Sequence, residues 1–235
     1  MADRIVVIDY GMGNLHSVSK AIECASWPPL LRWLYWVRWL RWVRWFLKLP
    51  KVEITSDPDR VAAADRVIFP GQGAMPDCMR EMDARGLRPA VLEAARTKPF
   101  LGICIGLQML FESSDEGGVP GLGLLAGTVR RFPASAMVDS EGRKLKVPHM
   151  GWNRVKQAQA RHPLWSGITD SSRFYFVHSY FPQAGEAALV QGTTEYGIPF
   201  TCAVARDNIF AVQFHPEKSH TAGLRLLANF VNWNP

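Results

Sequence analysis

The sequence predicts an α/β fold: an open, mostly parallel sheet with helices on both faces, extended by antiparallel β-strands. In the first half, short apolar segments that end in turns alternate with segments of helical periodicity, which is typical of βαβ units. From residue 127 onward, strand-like segments follow one another closely, as in antiparallel sheets. One domain can accommodate 235 residues. We therefore expect a single domain over residues 1–235, with residues 26–51 as an insertion between the first helix and the second strand.

Local signals predict each element of the parallel part. Residues 4–8 form a β-branched run, the GMGN that follows favours a turn, and helical periodicity then begins at Leu15. The same alternation resumes after the insertion. The predicted elements are strands 4–8, 52–55, 65–71 and 100–103, and helices over 15–24, over 87–97 and from Leu107 onward.

Closely spaced strand patterns make up most of the second half, and helical periodicity returns only at its end. The predicted elements are strands 127–132, 143–147, 173–178, 187–193, 200–206 and 209–214, and a helix over 219–231. They predict an antiparallel extension of one domain rather than a second domain.

The positive charge of the chain is confined to one segment. A formal charge of +6 raises a nucleic acid or an anionic membrane as partner. Residues 26–51, however, contain six basic and no acidic side chains, whereas the remaining residues contain 21 of each. Because this neutral remainder offers no basic face, we expect no nucleic-acid partner.

Cysteine usage and the first residues bear on the compartment. Cys24, Cys78, Cys104 and Cys202 form no CxxC pair and lack the spacing of a zinc site or a disulfide framework, so we expect no metal. No cofactor is expected either. The first apolar run is four residues long, far shorter than the core of a signal peptide. We expect a cytoplasmic protein.

The strongest chemical motif is GICIG at 102–106, at the junction of an apolar strand and a helix. Glycines two residues either side of Cys104 permit the sharp turn of a nucleophile elbow, here with Cys in place of Ser. A helix N-terminus there would favour the thiolate. The alternative is a buried structural cysteine at a strand end.

Two further motifs suit the same chemistry. In the extended FHPE at 214–217, His215 and Glu217 lie on one side, so the carboxylate can orient the imidazole. In PGQG at 70–73, backbone amides can point at a tetrahedral oxyanion. Alone, these motifs would also fit a loop histidine beside a solvated glutamate, and an ordinary turn. Together with Cys104, they indicate Cys–His–Glu acyl transfer.

These segments resemble those of a known family. PGQG, GICIG followed by Gln108, and HPE are similar to the signature segments of class I, triad-type glutamine amidotransferases. VIDYGMGNLHSV, PHMGWN, FYFVHSYF and FHPEKS look like the glutaminase subunits of imidazole glycerol phosphate synthase. The resemblance covers the chain except for residues 26–51.

The resemblance implies a role for individual residues. Cys104 would be the nucleophile, His215 the base and then the acid, and Glu217 its orienter. The amides of Gly71, Gln72 and Gly73 would bind the oxyanion. Positions implied in binding glutamine are Gln108, Glu116, His178, Ser179 and Tyr180, the last three through their backbone.

The resemblance also implies a partner, a cyclase subunit with a (β/α)8 barrel that would form a heterodimer with this chain. Asn14, Trp152 and Lys218 match positions that face it. Without the resemblance, these residues would be interpreted as a helix cap, a core aromatic and a solvated lysine.

The implied reaction is hydrolysis of L-glutamine to glutamate and ammonia through a cysteine thioester. The ammonia would serve the cyclase, which makes imidazole glycerol phosphate and aminoimidazole-carboxamide ribotide in histidine biosynthesis. One alternative is the glutaminase subunit of another synthase, such as pyridoxal phosphate synthase. Another is a non-catalytic module that binds a membrane or a partner through residues 26–51. The presence of all three triad residues argues against this second alternative.

The insertion itself is rich in tryptophan and arginine. Residues 32–46 read as the triplets RWL, YWV, RWL, RWV and RWF, and prolines at 28, 29 and 50 bracket a predicted helix of about 20 residues. Four arginines within 30–49 argue against a transmembrane helix. Three interpretations stay open: an amphipathic helix on an anionic membrane, a self-association or docking element, and a repeat expansion tolerated in a surface loop.

Overall fold

The computed structural model describes residues 3–28, 30–32, 47–139, 141–159 and 161–235 of the chain. Its β-strands, named β1 to β14 in chain order, are Arg4–Ile8, Lys51–Thr55, Arg66–Gly71, Phe100–Cys104, Phe111–Ser114, Val119–Pro120, Leu125–Arg131, His149–Arg154, Lys156–Gln157, Arg173–His178, Tyr180–Ala184, Val190–Tyr196, Ile198–Arg206 and Ile209–Val212. Its α-helices, named α1 to α6, are Leu15–Ala25, Pro58–Ala62, Met75–Ala84, Arg88–Thr97, Ile105–Gln108 and His220–Val231.

The main sheet has the strand order β2-β1-β3-β4-β14-β13-β12-β9. The pairs from β2 to β14 are parallel, and the pairs from β14 to β9 are antiparallel. Every residue of β3, β4 and β14 is buried, as expected of central strands covered on both faces. The predicted fold, a mostly parallel sheet with an antiparallel extension, is confirmed.

Helices cover this sheet in two groups. The first, α1, packs against the last, α6, while α2 packs against α4. Apolar residues on one side of α1, such as Val18 and Ile22, are buried in the same core as the central strands. The core thus fixes the sheet from both faces and leaves the strand ends free to carry a site.

Two smaller sheets adjoin the main one. Strands β11, β7, β5 and β6 form a four-stranded sheet, and β10 pairs with β8 in an antiparallel ribbon. In that ribbon, His178 lies opposite His149. The ribbon and β11 bring the segment around residues 178–180 beside the carboxyl end of β4, where Cys104 is located.

Some predicted elements are wrong. The helix expected from Leu107 onward ends at Gln108, and Phe111–Ser114 is a strand. Pairing of that strand with β7 outweighs its local helical periodicity. The strand expected over 143–147 is absent from the described residues there, and Lys144 makes only an isolated bridge to Val138. Strands β6, β8, β9 and β11 and helices α2 and α3 had no prediction.

The ends of the insertion lie at the amino edge of the sheet. Lys51 begins the edge strand β2, paired with Arg4 at the start of β1. The Trp27 side chain is buried, and Arg32 donates to the Ala25 carbonyl. The predicted helix between Pro28 and Pro50 falls mostly on residues 33–46, which lie outside the described part of the chain. In the described part, no helix is both long and apolar enough to cross a membrane.

Candidate active site

Cys104 sits in a strained turn between β4 and α5. Its φ of 57° and ψ of −112° lie in a region that residues with a side chain rarely adopt. A Cβ on Gly106 would lie 1.7 Å from the Phe69 carbonyl oxygen, and one on Gly102 would lie 2.9 Å from Cβ of Ala211. The glycines of GICIG are therefore required by close packing at the turn, as in a nucleophile elbow. Because α5 has only four residues, the helix-dipole argument for the thiolate loses its force.

His215 and Glu217 form a buried pair next to this turn. Nδ1 of His215 donates to Oε1 of Glu217 over 2.8 Å, and both side chains are almost fully shielded from solvent. Strand β14 pairs in parallel with β4, which brings His215 to the same sheet edge as Cys104. Nε2 of His215 has no hydrogen-bond partner among the described residues, and the imidazole lines the cavity that Cys104 also lines. The geometry suits an orienter, a base and a nucleophile in sequence.

Charge at the site controls the protonation of His215. Burial disfavours the imidazolium, but the negative charges of the Cys104 thiolate and the Glu217 carboxylate outweigh it and raise the pKa of His215 above its usual value. His215 is thus favoured as an imidazolium while Cys104 is a thiolate. That pair supplies both a nucleophile and a proton for a leaving group.

A cavity of about 390 Å³ opens in front of Cys104. Its lining includes residues predicted for the nucleophile, the base, the oxyanion loop, glutamine binding and the partner face. They are Gln72, Gly73, Cys104, Gln108, Glu116, His178, Ser179, Tyr180, His215 and Lys218. Gly71 and Glu217 lie behind it, around a smaller cavity with Asn14. The structure therefore brings the predicted catalytic and glutamine-binding residues to one place.

The loop at residues 70–73, which is predicted to bind the oxyanion, is held by its carbonyl groups. The hydroxyl of Tyr10 donates to the Pro70 carbonyl over 2.7 Å, and the Cys78 thiol donates to the Gln72 carbonyl over 3.3 Å. Burial raises the pKa of Cys78 to about 11, so this thiol stays a neutral donor. Since C=O and N–H of a trans peptide point in opposite directions, the Gly73 amide points away from Cys78.

The loop is also tied to the cavity wall. Oε2 of Glu116 accepts from the backbone amide of Met75, the first residue of α3, over 2.8 Å. Gly73 has a φ of +95°, which favours glycine at this position. The wall residue Glu116 and the loop are therefore one hydrogen-bonded unit.

Two neutral histidines support the cavity wall formed by residues 178–180. Nδ1 of His178 donates to the Tyr180 carbonyl over 2.8 Å, so its Nε2 accepts from Nδ1 of His149 over 3.1 Å. Burial lowers the pKa of His178 to about 3 and that of His149 to about 4. His149 is also stacked on Tyr196, with ring centroids 4.0 Å apart. Both rings are neutral at physiological pH and act as fixed supports for the backbone at 178–180.

Comparison with known proteins gives the family. The family described as glutamine amidotransferase class-I matches residues 43–233. The imidazole glycerol phosphate synthase subunit HisH of Dechloromonas aromatica is 62% identical, with 98% of this chain and 97% of the relative covered. The imidazole glycerol phosphate synthase subunit HisH of Thiobacillus denitrificans is 59% identical, with 100% of this chain and 93% of the relative covered. The chain belongs to the HisH family of class I glutamine amidotransferases. The family resemblance implied by its motifs is confirmed.

Solved structures agree on the fold of this glutamine amidotransferase. A protein from Thermoplasma acidophilum, described as a putative GMP synthase subunit, matches with a TM-score of 0.63 at 15% identity, over 99% of this chain and 94% of that one. A second structure, described as a glutamine amidotransferase, also matches with a TM-score of 0.63 at 15% identity, over 97% of this chain and 99% of that one. Because the sequence identity is only 15%, these similarities support the fold and nothing about function.

The predicted partner positions have different environments in this HisH-family chain. Oδ1 of Asn14 caps α1 by accepting from the Ser17 amide over 3.4 Å. Trp152 is 38% exposed and stacks on His220, with ring centroids 4.9 Å apart, so it is not a core residue. Lys218 is exposed, with Nζ 5.8 Å from the Tyr175 ring centroid.

Residues that the motifs did not single out also contact the site. Besides Tyr10, Cys78 and His149, the amide of Gln213 lies 3.7 Å from Sγ of Cys104. A sequence signal for Gln213 exists in AVQFHPE, where Gln213, His215 and Glu217 alternate with Phe214 and Pro216. Tyr10 carries no comparable signal, because it meets Pro70 only through tertiary packing, whereas Cys78 lies in α3, only six residues beyond Gln72.

Proposed function

We propose that this chain hydrolyses L-glutamine through a thioester on Cys104 and delivers the ammonia to the cyclase subunit of imidazole glycerol phosphate synthase. Membership of the HisH family, whose relatives are named as subunits of that synthase, supports the pathway. One observation carries the residue assignment: a strained cysteine faces a buried His–Glu pair across a cavity lined by the glutamine-binding positions.

In the first half-reaction, the Cys104 thiolate attacks the side-chain carbonyl carbon of glutamine. The carbonyl π electrons move to oxygen, and the amides of residues 71–73 bind the resulting oxyanion. The imidazolium of His215 gives its proton to the nitrogen, the C–N bond breaks, and ammonia leaves with that bonding pair. The products are a glutamyl thioester on Sγ and a neutral imidazole.

In the second half-reaction, neutral His215 takes a proton from water, which attacks the thioester carbonyl. Collapse of the tetrahedral intermediate expels the Cys104 thiolate and leaves a carboxylic acid, which loses its proton to solvent and is released as glutamate, while His215 keeps the proton taken from water. Glu217 holds Nδ1–H throughout, so that Nε2 faces the reacting atoms. The burial of both side chains keeps this hydrogen bond strong.

We place the cyclase, a (β/α)8 barrel in a heterodimer with this chain, on the carboxyl edge of the sheet. Exposed apolar side chains on β8 support this placement, because β8 pairs with β10, which ends at His178 in the cavity wall. Met150 is 63% exposed and Trp152 38%, although neither is polar, and a protein partner would cover them. Lys218 lines the cavity in front of Cys104, and Asn14 lines the smaller cavity behind it. A barrel on this face would receive ammonia close to where it is released.

The direct test is Cys104→Ala in the complex with the cyclase. Glutamine-dependent synthesis should fall at least about a thousand-fold, while synthesis from added ammonium should persist. Cys202→Ala is the matched control, because Cys202 is a fully buried cysteine on β13 whose side chain does not line the cavity. Full glutamine-dependent activity of Cys104→Ala would refute the nucleophile.

The choice of synthase needs its own measurement. Glutamine hydrolysis should rise when the cyclase is added together with its ligand, and the two proteins should co-elute. If hydrolysis instead responded to the partner protein of a pyridoxal phosphate synthase and not to the cyclase, the proposed partner would be wrong.

A further inference from the structure

Gln213 lies between the nucleophile and the glutamine-binding wall. It follows β14 directly and is completely buried. Its Nε2 donates to Sγ of Cys104 over 3.7 Å, and its Oε1 accepts from Nε2 of Gln108 over 3.0 Å. The backbone amide of Gln213 bonds separately to the Cys202 carbonyl, so the side chain is not needed for strand pairing.

The orientation of the side-chain amides of Gln108 and Gln213 follows from their hydrogen-bond partners. Gln108 donates over 3.1 Å to the carbonyl of Tyr180, and a carbonyl can only accept. The amino end of Gln108 therefore faces both Tyr180 and Gln213. Consequently the oxygen of Gln213 faces Gln108, and its amino group faces the sulfur.

The oxygen end of the Gln108 side chain has no partner in the described part of the protein. Its Oε1 is buried and has no hydrogen-bond partner among the described residues, while the side chain lines the cavity. A buried acceptor without a partner is costly, unless a ligand donates to it. The chain from sulfur to Gln213 to Gln108 thus ends where glutamine would bind.

We propose that Gln213 is a further catalytic residue, whose Nε2–H donates to the Cys104 thiolate and aligns it with the substrate bound at Gln108. The inference rests on the proposed role of Cys104. A neutral donor stabilises negative charge on sulfur without repelling the imidazolium of His215. It also restrains the position of the sulfur relative to bound substrate.

Two substitutions of similar size test the hydrogen-bond donor of Gln213 separately from the volume of its side chain. Gln213→Glu retains an oxygen that accepts from Gln108 but replaces the donor to sulfur with a carboxylate oxygen. Gln213→Met removes both polar groups and fills nearly the same volume. We expect kcat for glutamine hydrolysis to fall about ten- to hundred-fold in both variants. In Gln213→Glu, KM should stay within about two-fold, since the Gln108 contact remains.

A second readout follows the sulfur directly. Iodoacetamide labelling of the peptide that contains Cys104, measured against pH, should shift its midpoint upward by about one pH unit or more in both variants. The larger shift is expected for Gln213→Glu, because its carboxylate repels the thiolate. Cys104→Ala sets the background for labelling and turnover.

The matched controls are Gln191→Glu and Gln191→Met. Gln191 is also a buried glutamine, on β12, and it does not line the cavity in front of Cys104. These variants should leave the labelling midpoint and kcat unchanged. Folded Gln213 variants with the labelling midpoint and kcat of the unmodified protein would overturn the inference.

A measurement on the unmodified protein covers the case in which the variants do not fold. The side-chain amide signals of Gln213 in an NMR pH titration should move with the ionisation of Cys104 and stay constant in Cys104→Ala. Signals that did not respond would overturn the inference as well. In contrast, turnover in Cys104→Ala at the unmodified rate would refute the proposed function itself.

Discussion

The two edges of the main sheet differ in how tightly the backbone is constrained. At the carboxyl edge, Cys104 has a strained conformation and Gly106 touches the Phe69 carbonyl. At the amino edge, the described residues of the connection from α1 to β2 contain no glycine in such a close approach, and Leu30 is 87% exposed although Trp27 is buried. Catalysis requires atoms fixed to fractions of an ångström, which only dense packing provides, whereas a connection on the far edge tolerates extra chain.

The largest effect should come from Gly106→Ala. Its Cβ would overlap the backbone oxygen of Phe69, which cannot rotate away, so we expect a loss of more than about 3 kcal/mol in the free energy of unfolding. Urea denaturation would measure it. Gly118→Ala is the control: Gly118 has a φ of +61° and open space around it, so it should cost only about 1 kcal/mol. Equal losses in both variants would contradict the steric explanation.

The next effect concerns the charge that orients His215. Glu217→Gln should lower kcat for glutamine hydrolysis by about 10² to 10⁴. Because the carboxylate raises the pKa of His215, its removal should lower that pKa, so the alkaline limb of kcat/KM should move to lower pH. In this variant, His215 loses at a lower pH the proton that it must donate to the departing ammonia. An unchanged alkaline limb would argue against a coupling of Glu217 to His215.

The smallest effect is expected at the amino edge. A variant that joins Pro28 to Leu49 by a short linker retains the buried Trp27. Because the insertion begins and ends away from Cys104, glutamine turnover should stay within about two-fold. A large loss of turnover in a folded deletion variant would show that the two edges are coupled. Co-sedimentation of both proteins with anionic liposomes would measure any membrane role of residues 26–51.

Local motifs accounted for the elbow and the His–Glu pair, because their geometry depends on residues within a few positions of each other. GICIG packs as an elbow must, and His215 bonds to Glu217 two residues away. The helix expected from Leu107 failed for the opposite reason: Phe111–Ser114 is a strand because it pairs with β7. Local periodicity cannot report such a distant partner.

The sequence by itself determined the fold class, the family, and the charge confined to residues 26–51, since each follows from composition or short motifs. The tertiary structure decided which side chains act on those motifs. Tyr10 and Cys78 hold the loop at residues 70–73, and Gln213 reaches the sulfur from the end of the neighbouring strand β14. The contacts of Tyr10 with Pro70 and of Gln213 with Cys104 join residues far apart in the chain, and only the packing of the sheet brings their atoms within hydrogen-bonding distance.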